Sequence, residues 1–196
     1  MSREAKIVRK TTETDIALDM DLDSSDASRI DTSIPFLNHM LELFVRHGRF
    51  KLFVKAKGDT EIDDHHLVED LGICLGKAIK QALGEKKGIH RYGSASVPMD
   101  ECLCHVHMDI SGRPYLVYNV RHECRNIGDF DPTLIKEFFK AFTDHSAITL
   151  HINLAYGSNG HHIVEAIFKA FARAMRQSVN LHPEISGVLS TKGTLE

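Results

Sequence analysis

The chain is written twice, and this constrains its fold more than any other feature. The run His65-His66-Leu67-Val68-Glu69 returns as His161-His162-Ile163-Val164-Glu165. An apolar, aromatic stretch precedes each copy: PFLNHML at 35–41 and LIKEFFK at 134–140. Further upstream, residues 13–22 (ETDIALDMDL) align with residues 101–110 (ECLCHVHMDI), both with Met-Asp at the same offset. One unit of secondary structure therefore occurs twice, and the two copies must share or stack their apolar faces.

Hydrophobic periodicity gives the same order of elements in each half. Alternation predicts strands at 5–12, 15–23 and 49–56. Helical spacing predicts a helix over 35–47, with Pro35 at its start and Gly48 after its end, and another over 64–83, opened by Asp64 and closed by Gly84. In the second half, 94–101, 103–110, 115–121 and 147–155 read as strands and 132–146 and 159–179 as helices. The expected class is α+β: two pseudo-repeated ββαβα modules, with mixed sheets covered by helices on one face. The other sheet faces should be buried against each other or against neighbouring subunits. The modules are expected at 1–88 and 89–196, divided within GEKKGIHRYG (84–93). No Pro/Ser-rich linker separates them, so they should form one compact unit.

With 196 residues, 42% of them hydrophobic, the chain can bury one good core. A net charge of −3 argues against a general nucleic-acid binder. The first ten residues, MSREAKIVRK, have no apolar signal region, and no apolar run reaches the roughly 18 residues of a membrane span. A cytoplasmic location is expected. Cys74, Cys102, Cys104 and Cys124 lack C-x-x-C spacing and read as buried, reduced thiols.

The chemistry-bearing residues are histidines, 13 of them against no tryptophan. On a helix, His65 and Glu69 share a face, as do His66 and Glu69, and imidazole with carboxylate suits a divalent Mn, Fe or Zn ion. Adjacent histidines point about 100° apart, so each pair should serve two ions, or one ion and a subunit contact. One copy alone would read as helix-start histidines beside a solvated glutamate; two copies at matching repeat positions favour metal binding. His39 lies 26 residues before His65, and Glu137 lies 24 before His161 at the equivalent helix position. Eight candidate ligands result: His39, His65, His66, Glu69, Glu137, His161, His162 and Glu165. For Glu137, an ordinary exposed helix glutamate is an equal alternative.

A second group suits a phosphate monoester: Arg91, Arg113, Lys169 and the tail Ser190-Thr191-Lys192. No Gly-rich nucleotide loop accompanies it. Glu13, at a strand start, has Glu101 as its repeat mate. His47, Asp100 and Glu101 could also face a site. His90, His105, His107, His122, His145, His151 and His182 read mostly as structural, although His105 and His107 alternate on one strand face.

These residues resemble the imidazoleglycerol-phosphate dehydratase family from about residue 3 to 193. The resemblance is carried by RKTTETDI, IPFLNHMLELFVRHGRF, DDHHLVEDLGICLGKAI, RYGSASVPMDE, DISGRPYLVYN, TLHI, HHIVEAIFKAFARAMRQ and STKG. It implies a ribosomal-protein-S5-domain-2-like repeat and two Mn2+ ions per active site on the eight positions above. Glu137 stands where some members carry histidine. It also implies phosphate and substrate binding by Arg91, Arg113, Lys169, Ser190, Thr191 and Lys192, with Glu13, His39 and His47 on the substrate. Trimers assembling into a 24-subunit shell, with active sites between subunits, are implied too.

The expected reaction removes water from imidazole glycerol phosphate to give imidazole acetol phosphate, a step of histidine biosynthesis. Two ions on the two ring nitrogens would favour imidazolate, which can expel the neighbouring hydroxyl. Glu13, Glu69 and Glu165 are the expected catalytic carboxylates, with Glu13 the general base or relay. The alternatives are another binuclear metalloenzyme, such as a phosphate-ester hydrolase, and a non-enzymatic binding or assembly module.

Overall fold

A computed structural model of the chain describes residues 2–121 and 126–195; His122 and Cys124 lie outside the described residues. The first half runs β1 (Glu4–Lys10), β2 (Thr14–Asp21), β3 (Arg29–Asp31), α1 (Pro35–Gly48), β4 (Lys51–Gly58) and α2 (His65–Leu83). The second repeats this order as β5 (Tyr92–Met99), β6 (Cys102–Asp109), β7 (Tyr115–Asn119), α3 (Leu134–Ser146), β8 (Thr149–Tyr156) and α4 (Gly160–Val179). Each half forms a four-stranded sheet of matching order, β1-β2-β4-β3 and β5-β6-β8-β7. The last pair in each is parallel and the others antiparallel, so both sheets are mixed.

The unit is thus βββαβα rather than ββαβα. In the first half the extra strand is the three residues Arg29–Asp31, too short to show alternation. Its repeat counterpart β7 shows in the sequence because it is five residues long, YLVYN, and Tyr115, Val117 and Tyr118 are strand formers.

The repeat packs as sheet, helices, sheet. Strand alternation turns Ile16, Leu18 and Met20 of β2, and Leu52, Val54 and Ala56 of β4, toward the helices. Cys104, Val106 and Met108 of β6 and Leu150 and Ile152 of β8 do the same in the second half. Helix α2 lies on β1 and β2 and packs on α3; α4 lies on β5 and β6 and packs on α1. The outer sheet faces are therefore not buried against each other, as one expectation had it, because the helices stand between them. On the first sheet that outer face carries the ion pairs Lys10–Asp15 and Lys6–Asp19.

One continuous core joins the halves. Phe171 of α4 stacks on Phe44 of α1 with ring centroids 5.3 Å apart, and meets Phe139 and Phe142 of α3 edge-on, each at 5.1 Å. Fully burying such a ring contributes roughly 1.5–3 kcal/mol. Helices α2 and α3 approach closely because Gly72 and Gly76 lie one turn apart on the facing side of α2. A Cβ there would stand 2.4 Å from the Phe138 carbonyl oxygen and 2.6 Å from that of Phe142.

Two helix ends differ from expectation. Gly48 is the last residue of α1 and not its cap; Arg49 takes the left-handed conformation, with φ 53°. Glycine is needed at 48 because a Cβ would meet the Phe50 ring at 2.3 Å. At the start of α2, Asp64 makes no side-chain cap, and Asp63 instead accepts from the His65 backbone N–H at 2.7 Å. Gly84 closes α2 as expected.

Cys74, Cys102 and Cys104 are buried free thiols. Burial raises Cys74 to about 11 and Cys104 to about 12, which leaves both unreactive near neutrality. Among the described residues, no helix is long and apolar enough to cross a membrane.

Candidate metal centre and phosphate cleft

The repeat brings the starts of α1 and α4 together. Pro35 opens α1, and Asn159 caps α4, its side chain accepting from the backbone N–H groups of His161 and His162. His39, one turn into α1, then faces His161 and Glu165, one turn apart on α4. Glu165 Oε2 lies 3.2 Å from His161 Nε2 and 3.8 Å from His39 Nε2. One ligand atom from each of the three fits within 4.8 Å of the other two, the only such grouping of three among the described residues. The Phe36 ring meets His161 edge-on at 5.4 Å and closes one side.

Two imidazole nitrogens and one carboxylate oxygen converging at this spacing fit a divalent transition metal. The carboxylate is set for it. Glu165 is only 8% exposed, and its other oxygen, Oε1, accepts from Lys169 Nζ at 2.5 Å. Burial pushes its carboxyl up, but Lys169 and the imidazoles of His39 and His161 outweigh that and hold it below its ordinary value. Glu165 is thus an anion with Oε1 occupied and Oε2 aimed at two imidazoles. Lys169, expected from the sequence to hold phosphate, here braces this carboxylate.

The second histidine of each pair points elsewhere. The rings of His161 and His162 are 6.4 Å apart at 84°, and those of His65 and His66 are 6.0 Å apart at the same angle. His162 Nδ1 bonds Glu101 at 2.7 Å, and His66 Nδ1 bonds Asp59 at 3.0 Å. The carboxylates raise the pKa of both rings by these hydrogen bonds, while His162 and the Ser158 and Asn159 amides hold Glu101 down at about 2. Glu13 Oε1 stands 3.9 Å from His66 Nε2. Asp59 escaped the sequence reading because it lies in a loop outside the aligned repeat segments. Glu101 was visible only as the repeat mate of Glu13.

The counterpart cluster in the first half is looser. His65 Nε2 is 3.9 Å from Glu69 Oε2, and both side chains are nearly half exposed. Glu137, in the first turn of α3, belongs to no three-ligand grouping within 4.8 Å among the described residues.

Five of the expected phosphate residues meet in one cleft. Arg91, Arg113, Ser190, Thr191 and Lys192 line a cavity of about 810 Å³. Arg91 is fixed there: Nε and Nη2 donate to the two Asp109 oxygens at 2.6 and 3.0 Å, and Nη1 donates to the Leu189 carbonyl at 2.6 Å. Its guanidinium also lies over the Tyr92 ring, 4.8 Å from the centroid. Neither Lys169 nor any residue of the metal cluster lines this cleft. His47 opens instead onto a separate cavity with Arg46, Arg49, Arg173 and Arg176. Burial, then the charges of Lys169, Arg173 and Arg46, lower its pKa. His105 and His107 bond Ser96 and Ser94 on the second sheet.

Residues 32–175 match the family model described as imidazoleglycerol-phosphate dehydratase. The chain belongs to the imidazoleglycerol-phosphate dehydratase family. It is 62% identical to the imidazoleglycerol-phosphate dehydratase of Syntrophus aciditrophicus over 194 residues, 98% of each chain. Among solved structures, it is 40% identical to the Staphylococcus aureus imidazoleglycerol-phosphate dehydratase, with TM-score 0.84, covering 91% of this chain and 99% of that one. The Pyrococcus furiosus enzyme, solved in complex with (S)-C348, gives 36% identity and TM-score 0.84 over 96% and 100%. These structures share the duplicated dehydratase fold with this chain.

Proposed function

We propose that this chain is a lyase of histidine biosynthesis that dehydrates imidazole glycerol phosphate to imidazole acetol phosphate. Family membership supports the reaction; the observation that carries it to particular residues is the convergence of His39, His161 and Glu165 on one point. The donor set fits Mn2+, and the repeat supplies material for two ions: His39, His161, His162 and Glu165, with His65, His66, Glu69 and Glu137. When bound, such ions supply Lewis-acid stabilisation of negative charge on the imidazole ring.

The chain's own groups do the rest. Arg91, Arg113, Ser190, Thr191 and Lys192 bind the phosphate and anchor the substrate. Lys169 keeps Glu165 ionised and turns Oε2 toward the imidazoles. Glu13 takes the proton from carbon 2 and relays it to the departing hydroxyl, which leaves the ring-attached carbon as water; the resulting enol then moves its hydroxyl proton to carbon and becomes the ketone. Phosphate cleft and metal cluster have no lining residue in common, which supports a site completed between subunits. A 24-subunit shell built from trimers meets that need, and three buried free thiols suit the cytoplasm.

Ketone formation and phosphate release, followed with the same substrate, test the assignment. Ketone without free phosphate is expected, and the reverse would favour a binuclear hydrolase. Glu13→Gln should cut turnover by roughly 10²–10⁴-fold with metal content unchanged; unchanged turnover removes Glu13 from the reaction.

A further inference from the structure

His66 and His162 are each gripped at Nδ1 by a carboxylate, but the two carboxylates come from different places. In the second half the grip comes from Glu101, in the turn between β5 and β6. Its Oε2 takes His162 Nδ1 at 2.7 Å, while Oε1 accepts from the Ser158 and Asn159 amides at 3.1 and 2.8 Å. The repeat mate of Glu101 is Glu13, yet Glu13 does not take that role. Asp59, just past β4, bonds His66 Nδ1 through both oxygens, at 3.2 and 3.0 Å. The matching stretch of the second half, AYGSNG at 155–160, holds no carboxylate. Neither histidine makes a hydrogen bond at Nε2 to any of the described residues. The nearest carboxylate oxygens there, on Glu13 and Asp100, stand off at 3.9 and 3.8 Å.

A neutral imidazole whose Nδ1–H donates to a carboxylate keeps its lone pair on Nε2, the atom left for a ligand. His39 and His161, by contrast, have no carboxylate on Nδ1 among the described residues, and meet Glu165 through Nε2. The geometry points to Asp59 and Glu101 as positioning residues that fix His66 and His162 with Nε2 presented to metal; in the first half, Asp59 has taken over the task, and Glu13 stands instead on the Nε2 side of His66, at 3.9 Å. This deepens the metal reading above and rests on it.

Two readouts test the inference, neither of them turnover. The first is Mn2+ affinity, followed by electron paramagnetic resonance of free Mn2+ in a titration of the full-length protein. Asp59→Ala and Glu101→Ala should each weaken binding by about 10–100-fold. Asp59→Asn, whose amide oxygen still accepts from Nδ1–H, should recover most of the affinity. The second is the ¹⁵N spectrum of metal-free, histidine-labelled protein above the imidazole pKa values. Asp59→Ala should convert one ring from the Nδ1–H to the Nε2–H form, and a merely structural Asp59 would not produce that change. Unaltered affinity and tautomers in Asp59→Ala overturn the inference, as does an Asp59→Asn variant as weak as the alanine. If the unaltered chain binds no Mn2+ but its tautomers still follow Asp59, the orienting bond stands and the metal reading is what fails.

Discussion

The two halves share a fold but differ in how closely each gathers its candidate metal ligands. In the second half, Glu165 is buried, bonded to Lys169 through one oxygen and aimed at His161 and His39 through the other. In the first, Glu69 is nearly half exposed and 3.9 Å from His65. The position four residues beyond it is Ile73, where the second half has Lys169. The third corner differs as well: α1 supplies His39 to the second-half cluster, and the repeat-equivalent residue on α3 is Glu137. Duplication thus produced one cluster that a single chain preorganises and one left open. On the assembly proposed above, the open set is the one that a neighbouring subunit would complete.

The largest effect should come from breaking the closed cluster. Glu165→Gln should lower turnover by more than the roughly 10–100-fold typical of losing a partner outside the ligand set, and should release metal from an isolated chain. Glu69→Gln should leave metal binding to the isolated chain nearly unchanged while still harming the assembled enzyme. Equal metal loss from both variants in the isolated chain would erase the contrast. Next comes the core that the halves share. Phe171→Ala should cost about 3–5 kcal/mol in a single denaturant transition, because the ring touches α1 of one half and α3 of the other; two separate transitions would make the halves independent.

A smaller effect follows from pH. Carboxylates raise the folded-state pKa of His66 and His162. In metal-free protein, the stability these charged pairs contribute is full below the ordinary histidine value of about 6.5 and is lost as pH rises through the raised folded values. Metal needs the neutral rings, so Mn2+ affinity should run the opposite way and fall as pH drops through those same values. Equilibrium titration at successive pH values reads this directly, and a flat profile contradicts it. The smallest effect is expected on the outer sheet face. Lys10→Ala removes an exposed pair with Asp15 and should shift stability by less than about 1 kcal/mol.

Much of this was legible in the sequence because it repeats. The doubled His-His-x-x-Glu marked His39, His161 and Glu165 among the candidate ligands, and the fold brings these three together; the scattered cations Arg91, Arg113 and Lys192 meet in one cleft. What escaped notice lay where the repeat lapses or where tertiary packing decides. Strand β3 has too few residues for a period to show. Gly48 looked like a helix cap, but its cause is the Phe50 ring, a contact that no local pattern announces. Asp59 has no counterpart in the other half. Lys169 was singled out for phosphate because it lies one turn beyond Glu165; the ion pair that the same i,i+4 spacing allows depends on the burial of Glu165, which no local pattern shows.

The most direct test of the account is the number of Mn2+ ions bound per chain, measured with dehydratase turnover on the same sample before chelation, after it, and after metal is restored. Two ions per chain, turnover lost on removal and regained on return, are the predicted results. Full turnover from protein holding no divalent ion would contradict it.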